Sequence, residues 1–243
     1  AVDSITTGDY NVGVGDNALT AATSGGSSVA VGVGALQTMT TQTDNVAVGL
    51  NALRDNTASH TTALGSYALY QNTSGAGNTA LGYTALESNT TGASNTAVGK
   101  DSLDANTTGS NNTAIGLDSL TSNTTGALNT SVGKGSMAVN TTGGGNTAMG
   151  VSALDANTSG NNNVSIGIYS LSANTTADNN SAFGYSALNA NTTGASNVAV
   201  GYSAMVTNTT GNNNSALGVL ALEMNTTGSG NTAIGREALE ANT

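Results

Sequence analysis

The 243-residue sequence predicts an all-β fold: a repetitive β-solenoid, of the β-roll or β-helix kind, with about fourteen 17-residue coils of short strands and tight turns. Three observations carry this expectation. The first is the repeat. Asn95 to Asn111 reads N-T-A-V-G-K-D-S-L-D-A-N-T-T-G-S-N, and the unit restarts at Asn11, Ser28, Asn45, Thr61, Asn78, Asn95, Asn112, Asn129, Asn146, Asn163, Asn180, Asn197, Asn214 and Asn231. The second is a set of columns that hardly vary between copies, a Gly and two apolar positions. The third is composition. With 7% charged and 3% aromatic residues and no Pro, Cys or Trp, the chain cannot build a core around large side chains. It also lacks the charge and Pro of disordered chains, so an ordered repeat is expected.

Numbering each unit from its restart residue, positions 1 to 5 (Asn-Thr-Ala-Val-Gly) read as a short strand, with Thr or Val at position 2 in most copies. Position 4 is apolar in every copy, from Val14 and Val31 to Leu217 and Ile234, and position 9 is Leu or Met from Leu19 to Leu239. These two columns are expected to form the interior, each completed only when neighbouring coils stack. Position 5 is Gly in all fourteen copies, Gly15 to Gly235, which implies positive φ or a backbone lying where a Cβ would sit. Positions 8 to 11, such as Ser-Leu-Asp-Ala, fit a helical turn, a second strand or a single 3₁₀ turn. Asn-Thr-Thr-Gly or Asn-Thr-Ser-Gly then closes the coil, because Asn bonds its own backbone in turns and Gly accepts the left-handed region.

Parallel stacking at about 4.8 Å per coil gives a rod of roughly 65 Å. The one copy with 16 residues, Asn45 to His60, reads as a one-residue loop deletion between Asn56 and His60. The expected organisation is one continuous solenoid over 1–243: a partial repeat at 1–10, thirteen repeats over 11–230 and a partial repeat at 231–243. A start at Ala1 and a stop inside a unit at Thr243 suggest a processed product or part of a longer chain.

Units such as Asn112-Thr-Ala-Ile-Gly-Leu-Asp-Ser-Leu120 resemble the β-roll head repeats of trimeric autotransporter adhesins. The fuller form at Asn78 to Gly92 and Asn180 to Gly194 is more similar to the repeat region of bacteriophage tail-fibre proteins. The resemblance covers essentially the whole chain. It implies a β-solenoid, often trimeric, acting as a shaft or adhesive surface. It carries over no coiled-coil stalk, membrane anchor or fibre chaperone domain.

Formal charge is −10, spread without an acidic run, which favours solubility over a specific cationic partner. The four basic residues, Arg54, Lys100, Lys134 and Arg236, are too few and too scattered to neutralise a phosphate backbone, so nucleic acid is not an expected partner. Without cysteine there is no thiol nucleophile or disulfide framework. No apolar run is long enough to span a bilayer as a helix, so no membrane insertion is expected.

Catalysis has little to draw on. His60 is the only histidine and has no evident carboxylate or nucleophile partner in the sequence; Asp101, Asp104, Asp118 and Asp155 form no fixed column of the kind calcium-binding repeats use. No enzyme, metal or cofactor is expected.

Three repeated surfaces are candidates for recognition. Asn72, Asn89, Asn106, Asn123, Asn140, Asn157, Asn174, Asn191, Asn208 and Asn225 match the N-glycosylation pattern, and would form either a sugar-bearing row or a stacked amide ladder. Thr at positions 2, 13 and 14 raises ice binding, against which adjacent Thr residues diverge in an extended chain. Tyr67, Tyr83, Tyr169, Tyr185 and Tyr202 follow the Gly corner and are candidates for contact with a host-surface glycan or protein.

The reading that results is a structural fibre segment, extracellular or on a virion surface, serving as a shaft or adhesive surface for attachment. A carbohydrate- or ice-binding solenoid and a self-assembling cell-surface filament are the alternatives. So meagre a core per coil calls for self-association, as a homotrimer or an end-to-end filament.

Overall fold

The structure, a computed structural model, describes residues 5–242. Among these residues there is no helix, and fourteen three-residue strands follow one another in parallel as successive turns of a β-solenoid. The chain forms two compact units dividing between Thr125 and Gly126. The first holds β1 (Val12–Val14), β2 (Val29–Val31), β3 (Val46–Val48), β4 (Thr62–Leu64), β5 (Thr79–Leu81), β6 (Thr96–Val98) and β7 (Thr113–Ile115). The second holds β8 (Thr130–Val132), β9 (Thr147–Met149), β10 (Val164–Ile166), β11 (Ser181–Phe183), β12 (Val198–Val200), β13 (Ser215–Leu217) and β14 (Thr232–Ile234).

Within each unit the strands pair in register, like residue on like: Thr79 on Thr96, Ala80 on Ala97 and Leu81 on Val98 in the first, Ser181 on Val198, Ala182 on Ala199 and Phe183 on Val200 in the second. Positions 2 to 4 are therefore the strand. Positions 8 to 11 are turn, neither helix nor strand. Their backbone still bonds between coils, as from the Leu86 N–H to the Ser102 carbonyl (3.0 Å) and from the Ser88 N–H to the Asp104 carbonyl (2.9 Å).

The strands correct the expected interior. From β2 to β14 the middle residue, position 3, is the buried one, and position 4 is not buried in any strand. Leu81, Ile115, Phe183 and Leu217 are each about two-fifths to one-half exposed, while Ala80, Ala114 and Ala182 are fully buried. The periodicity was right and its phase was off by one, which turns every side chain of a strand to the other face. The physical reason is width: the interior takes Ala or Ser at positions 3 and 8, Leu or Met at position 9, and Asn at positions 1 and 12, all fully or nearly fully buried through most of the chain. No second large apolar column fits. Ser replaces Ala at position 3 only at Ser131 and Ser165, and in both coils position 8 is also Ser, so that the Ser131 hydroxyl meets Ser136 and the Ser165 hydroxyl meets Ser170.

The Gly column satisfies both sequence readings at once. Gly99 has φ +134, and a Cβ built there would lie 2.4 Å from the Gly116 carbonyl oxygen. Position 9 is more unusual: its buried Leu and Met residues sit in the left-handed region, for example Leu103 at φ 52 and Met137 at φ 47. That conformation costs an L-residue about 1–2 kcal/mol, a cost set against full burial of the side chain.

The short coil keeps its strands in register, Val46 on Thr62 and Val48 on Leu64, so the missing residue is absorbed in the loop. The Asn56 side chain bonds the Ala58 carbonyl two residues on (2.7 Å), where Asn72 bonds the Gly75 carbonyl three residues on (2.9 Å). The residue omitted is therefore the one after Thr57, at position 14, as expected for a loop deletion.

Position 15 separates steric from conformational demand. A Cβ on Gly92 would also be crowded, 2.3 Å from the Gly109 carbonyl oxygen, yet Gly92 has no positive φ and Ala58 and Ala177 occupy the same position in other coils. Crowding alone can relax there. We expect Gly99→Ala to cost about 3 kcal/mol or more and Gly92→Ala less than half of that. Urea unfolding of the two variants measures the ordering, and equal losses would contradict it.

Candidate functional site

The ten asparagines of the Asn-Thr-Thr and Asn-Thr-Ser turns are fully buried and stacked. In the first unit the Asn106 Nδ2 donates to the Asn89 Oδ1 at 2.8 Å and to the Gly109 carbonyl at 3.0 Å, while the Asn106 Oδ1 accepts from the Asn123 Nδ2 at 2.8 Å. Asn72 and Asn89 repeat the pattern there, as do Asn157, Asn174, Asn191, Asn208 and Asn225 in the second unit. An amide nitrogen with both protons engaged inside the coil offers no acceptor to a sugar. The folded chain holds an amide ladder at these positions, not an exposed row open to glycosylation.

A second ladder runs through position 1. The Asn78 Oδ1 accepts the Asn95 backbone N–H (2.8 Å), and the Asn78 Nδ2 donates to the carbonyls of Gly75 (3.0 Å) and Gly92 (2.7 Å). The Gly92 carbonyl thus receives Asn78 from one side and Asn89 (2.9 Å) from the other. Among the described residues no buried side-chain polar atom lacks a partner. Position 13 adds a third connection: the Thr73 and Thr107 hydroxyls donate to the Thr90 and Thr124 carbonyls of the next coil (2.8 and 3.0 Å). Those hydroxyl protons are engaged along the stack. Position 14 is exposed at Ser74, Thr91, Thr108 and Thr176, and position 13 is exposed at Thr57, Thr73 and Thr226.

With the interior closed in this way, recognition belongs to the outside. The five candidate tyrosines fall into one cluster in each unit. Tyr67 meets Tyr83 and Tyr70 edge to face, with centroids 6.3 and 5.6 Å apart, and the Arg54 guanidinium lies 4.0 Å from the Tyr70 ring centre. Tyr169 meets Tyr185 edge-on at 6.3 Å, and Tyr185 stacks on Tyr202 at 5.4 Å with planes 9° apart. The repeat period brings these rings together along the stack, and Tyr83, Tyr169, Tyr185 and Tyr202 stay about two-fifths to one-half exposed. Tyr70 and Arg54 join the first cluster without a signal in the repeat, because position 10 holds Tyr in one coil only.

The larger exposed feature was missed from sequence. Positions 2 and 4 of every strand from β2 to β14 point out of the coil and carry no charge in any copy. Val33, Leu50, Leu117, Val151, Ile168 and Val219 extend the apolar surface at position 6, beyond the Gly corner. The available signal was position 3: a strand whose middle residue is uniformly the smallest has the narrow side inward.

His60 and Asp44 approach to 3.6 Å at the short coil, both mostly exposed. Of the four aspartates, Asp101 and Asp104 share one corner. Burial pushes the Asp101 carboxyl up, but hydrogen bonds from Lys100 (2.6 Å) and Thr84 outweigh it and hold it below the usual carboxylate range. Asp104 is raised, chiefly by burial, and Glu87 is raised by burial and by the charges of Asp104 and Asp101. Among the described residues no group of three or more His, Asp or Glu is placed to hold a metal ion, and no helix is long and apolar enough to cross a membrane.

Compared with known proteins, the chain matches no family model and no curated sequence.

Two outcomes follow for these groups. Asn106→Ala removes one rung and leaves the Asn89 oxygen and the Asn123 nitrogen short of partners, so a loss of about 2–4 kcal/mol is expected in chemical unfolding; a loss under about 0.5 kcal/mol would show the ladder to be incidental. Asp104 and Glu87 bind protons more tightly folded than unfolded, so their contribution to stability grows as pH falls from neutral toward their ordinary values of 3.8 and 4.5. Asp104→Asn should therefore raise the unfolding temperature at pH 7, with the gain vanishing near pH 4. A gain independent of pH would show that burial of the charge is not its source.

Proposed function

We propose that the chain is a non-enzymatic structural segment of an extracellular or virion fibre, providing spacing and a repeated outer surface for host or surface attachment. The observation that supports this reading is where the polar chemistry goes. Asn at positions 1 and 12 and Thr at position 13 direct their donors and acceptors along the stack, into the next coil. Side chains that elsewhere recognise ligands here provide cohesion between identical coils. What remains outside is one surface copied at every coil, which is what a spacer or an adhesive array offers. The resemblance of Asn78 to Gly92 and Asn180 to Gly194 to tail-fibre repeats supports the same role.

A repeat built for extension accepts further copies, because each coil contacts only its neighbours. Duplicating Asn95 to Asn111 should lengthen the particle by about 4.8 Å and leave the unfolding temperature equal or higher, read by small-angle scattering and calorimetry. Loss of folding on duplication would refute the spacer role. Saturable binding of the labelled chain to bacterial cells, competed by unlabelled chain, tests the adhesive role separately.

A further inference from the structure

Position 4 lies outside the coil, and all fourteen copies keep it apolar. We infer that the strand face formed by positions 2 and 4 is a lateral docking surface whose occupant is a second copy of this chain, related by a two-fold axis parallel to the stack. The inference needs only the face and stands independently of the fibre role.

Charge selects the occupant. The chain carries −10, yet neither position 2 nor position 4 holds a charged residue in any copy. Two like-charged copies can approach through this face and repel through others, while the net charge disfavours an anionic lipid surface. Period selects it as well. A surface that interlocks with coils spaced about 4.8 Å apart must carry the same spacing over seven strands, and another stack of these coils does so by construction.

Area is sufficient. Seven strands make each unit's face about 30 Å long, and two ridges about 6.7 Å apart make it about 12 Å wide, roughly 350 Å² per unit. Each unit docks on its own counterpart, so a copy engages roughly 700 Å² in all, close to the 800 Å² or so per partner typical of stable complexes.

Shape fixes the symmetry. On eight of the fourteen strands, β4, β5, β7, β9, β10, β11, β13 and β14, position 4 is larger than position 2, so it forms the taller of two ridges with a groove between them. On the other six, Val at position 4 stands beside Val or the isosteric Thr. On β12 to β14 that groove is open, about 250 Å³ in volume, and walled by Val198, Val200, Ser215, Leu217, Thr232 and Ile234. A two-fold parallel to the stack presents the partner's two ridges in reversed order. The partner's position-4 ridge then enters this groove while the position-4 ridge of the first copy enters the partner's. A two-fold perpendicular to the stack keeps the ridge order and sets tall ridge against tall ridge, with neither in a groove. Only the parallel arrangement seats both, at the 10 Å or so separation usual for packed sheets.

The full chain at micromolar concentration should sediment as a dimer. The double variant Leu81→Lys/Leu217→Lys, changed only at exposed position 4, should keep its circular dichroism and weaken association at least 100-fold, while Thr91→Lys, on the exposed position-14 corner, should leave the dimer intact. Because the chain has no cysteine, Leu81→Cys provides a clean register test. Parallel pairing puts Leu81 level with its own counterpart across packed sheets, too far for a direct disulfide but within reach of a short bis-maleimide reagent, which should cross-link the Leu81→Cys dimer and should not cross-link Thr91→Cys. A monomer at 100 μM, a trimer mass, an end-to-end series of higher species, or a dimer indifferent to Leu81→Lys/Leu217→Lys would overturn the inference. So would a dimer in which Leu81→Cys fails to cross-link.

Discussion

In-register stacking is the constraint from which the rest follows. When coils of one sequence pair like on like, as Ala80 on Ala97 and Thr79 on Thr96, each side chain meets copies of itself about 4.8 Å away. A residue survives in such a column only if it is compatible with itself. Ala and Leu satisfy this by contact. Asn satisfies it by chemistry, since one amide donates upward and accepts from below along the same axis, and successive amide dipoles polarise one another. This explains an interior that looks poor in apolar mass: the position-12 Asn column bonds in series, and the position-1 Asn holds the backbone of the next coil. Where the series starts in the first unit, Ala22 and Met39 occupy position 12, and Asn56 closes the ladder by accepting from both Asn72 and the Ala58 N–H.

The same constraint explains the backbone strain. A coil of 17 residues with three-residue strands must turn sharply several times, and each coil places Gly at position 5 and residues at positions 7, 9 and 17 at positive φ. Position 7 meets the demand with Asn, Asp or Gly in several coils, such as Asn17, Gly34 and Asp118, and position 17 does so with Asn111 and Gly145. Position 9 does not, because it also has to fill the interior. Leu there accepts an unfavourable dihedral in exchange for complete burial, worth about 1.5–3 kcal/mol per side chain against a cost of about 1–2 kcal/mol. The fold is thus stable as a stack and poor as a single coil, as expected of repeats that share burial with their neighbours.

This balance sets what could be read from the sequence. Period, coil number, the Gly corner, the loop deletion near Ala58 and the polar turn were legible because each leaves a column that hardly varies. The choice of inward face was not, because hydrophobicity is a poor guide when the interior is narrow. The reading assigned Val98 and Leu81 to the core since they are larger than Ala97 and Ala80, whereas the coil's width admits only the smaller residue. The outward apolar face was invisible for the same reason. Of the candidate sites, the Asn row was legible as a choice between ladder and sugar, decided by burial, while the clustering of Tyr169, Tyr185 and Tyr202 follows directly from their near-constant spacing once the coils are stacked.

Charge obeys the same self-compatibility rule and shows it most plainly where the rule is broken. Two like charges about 5 Å apart repel by about 1 kcal/mol in water and about 3 kcal/mol near a protein surface, so a column of carboxylates accumulates repulsion at every coil. The chain avoids this by keeping charge to 7% and scattering it over several positions. Three pairs of acids do stack on adjacent coils, Asp101 and Asp118 at position 7 and, at position 10, Glu87 and Asp104, and Glu223 and Glu240. In the Glu87 and Asp104 pair both carboxyls are pushed up, by burial and by the nearby acids. The next coil answers with Thr121, whose hydroxyl donates to the Asp104 carboxylate at 2.9 Å, and Lys100 pairs with Asp101 on the same corner. A neutral strand face is then the general condition of a stack that must not repel itself, and its apolar filling is the specific feature. Thr alone at positions 2 and 4 would satisfy self-compatibility and remain solvated, so stacking by itself does not call for the Leu, Ile, Met and Phe residues that position 4 carries on eight strands.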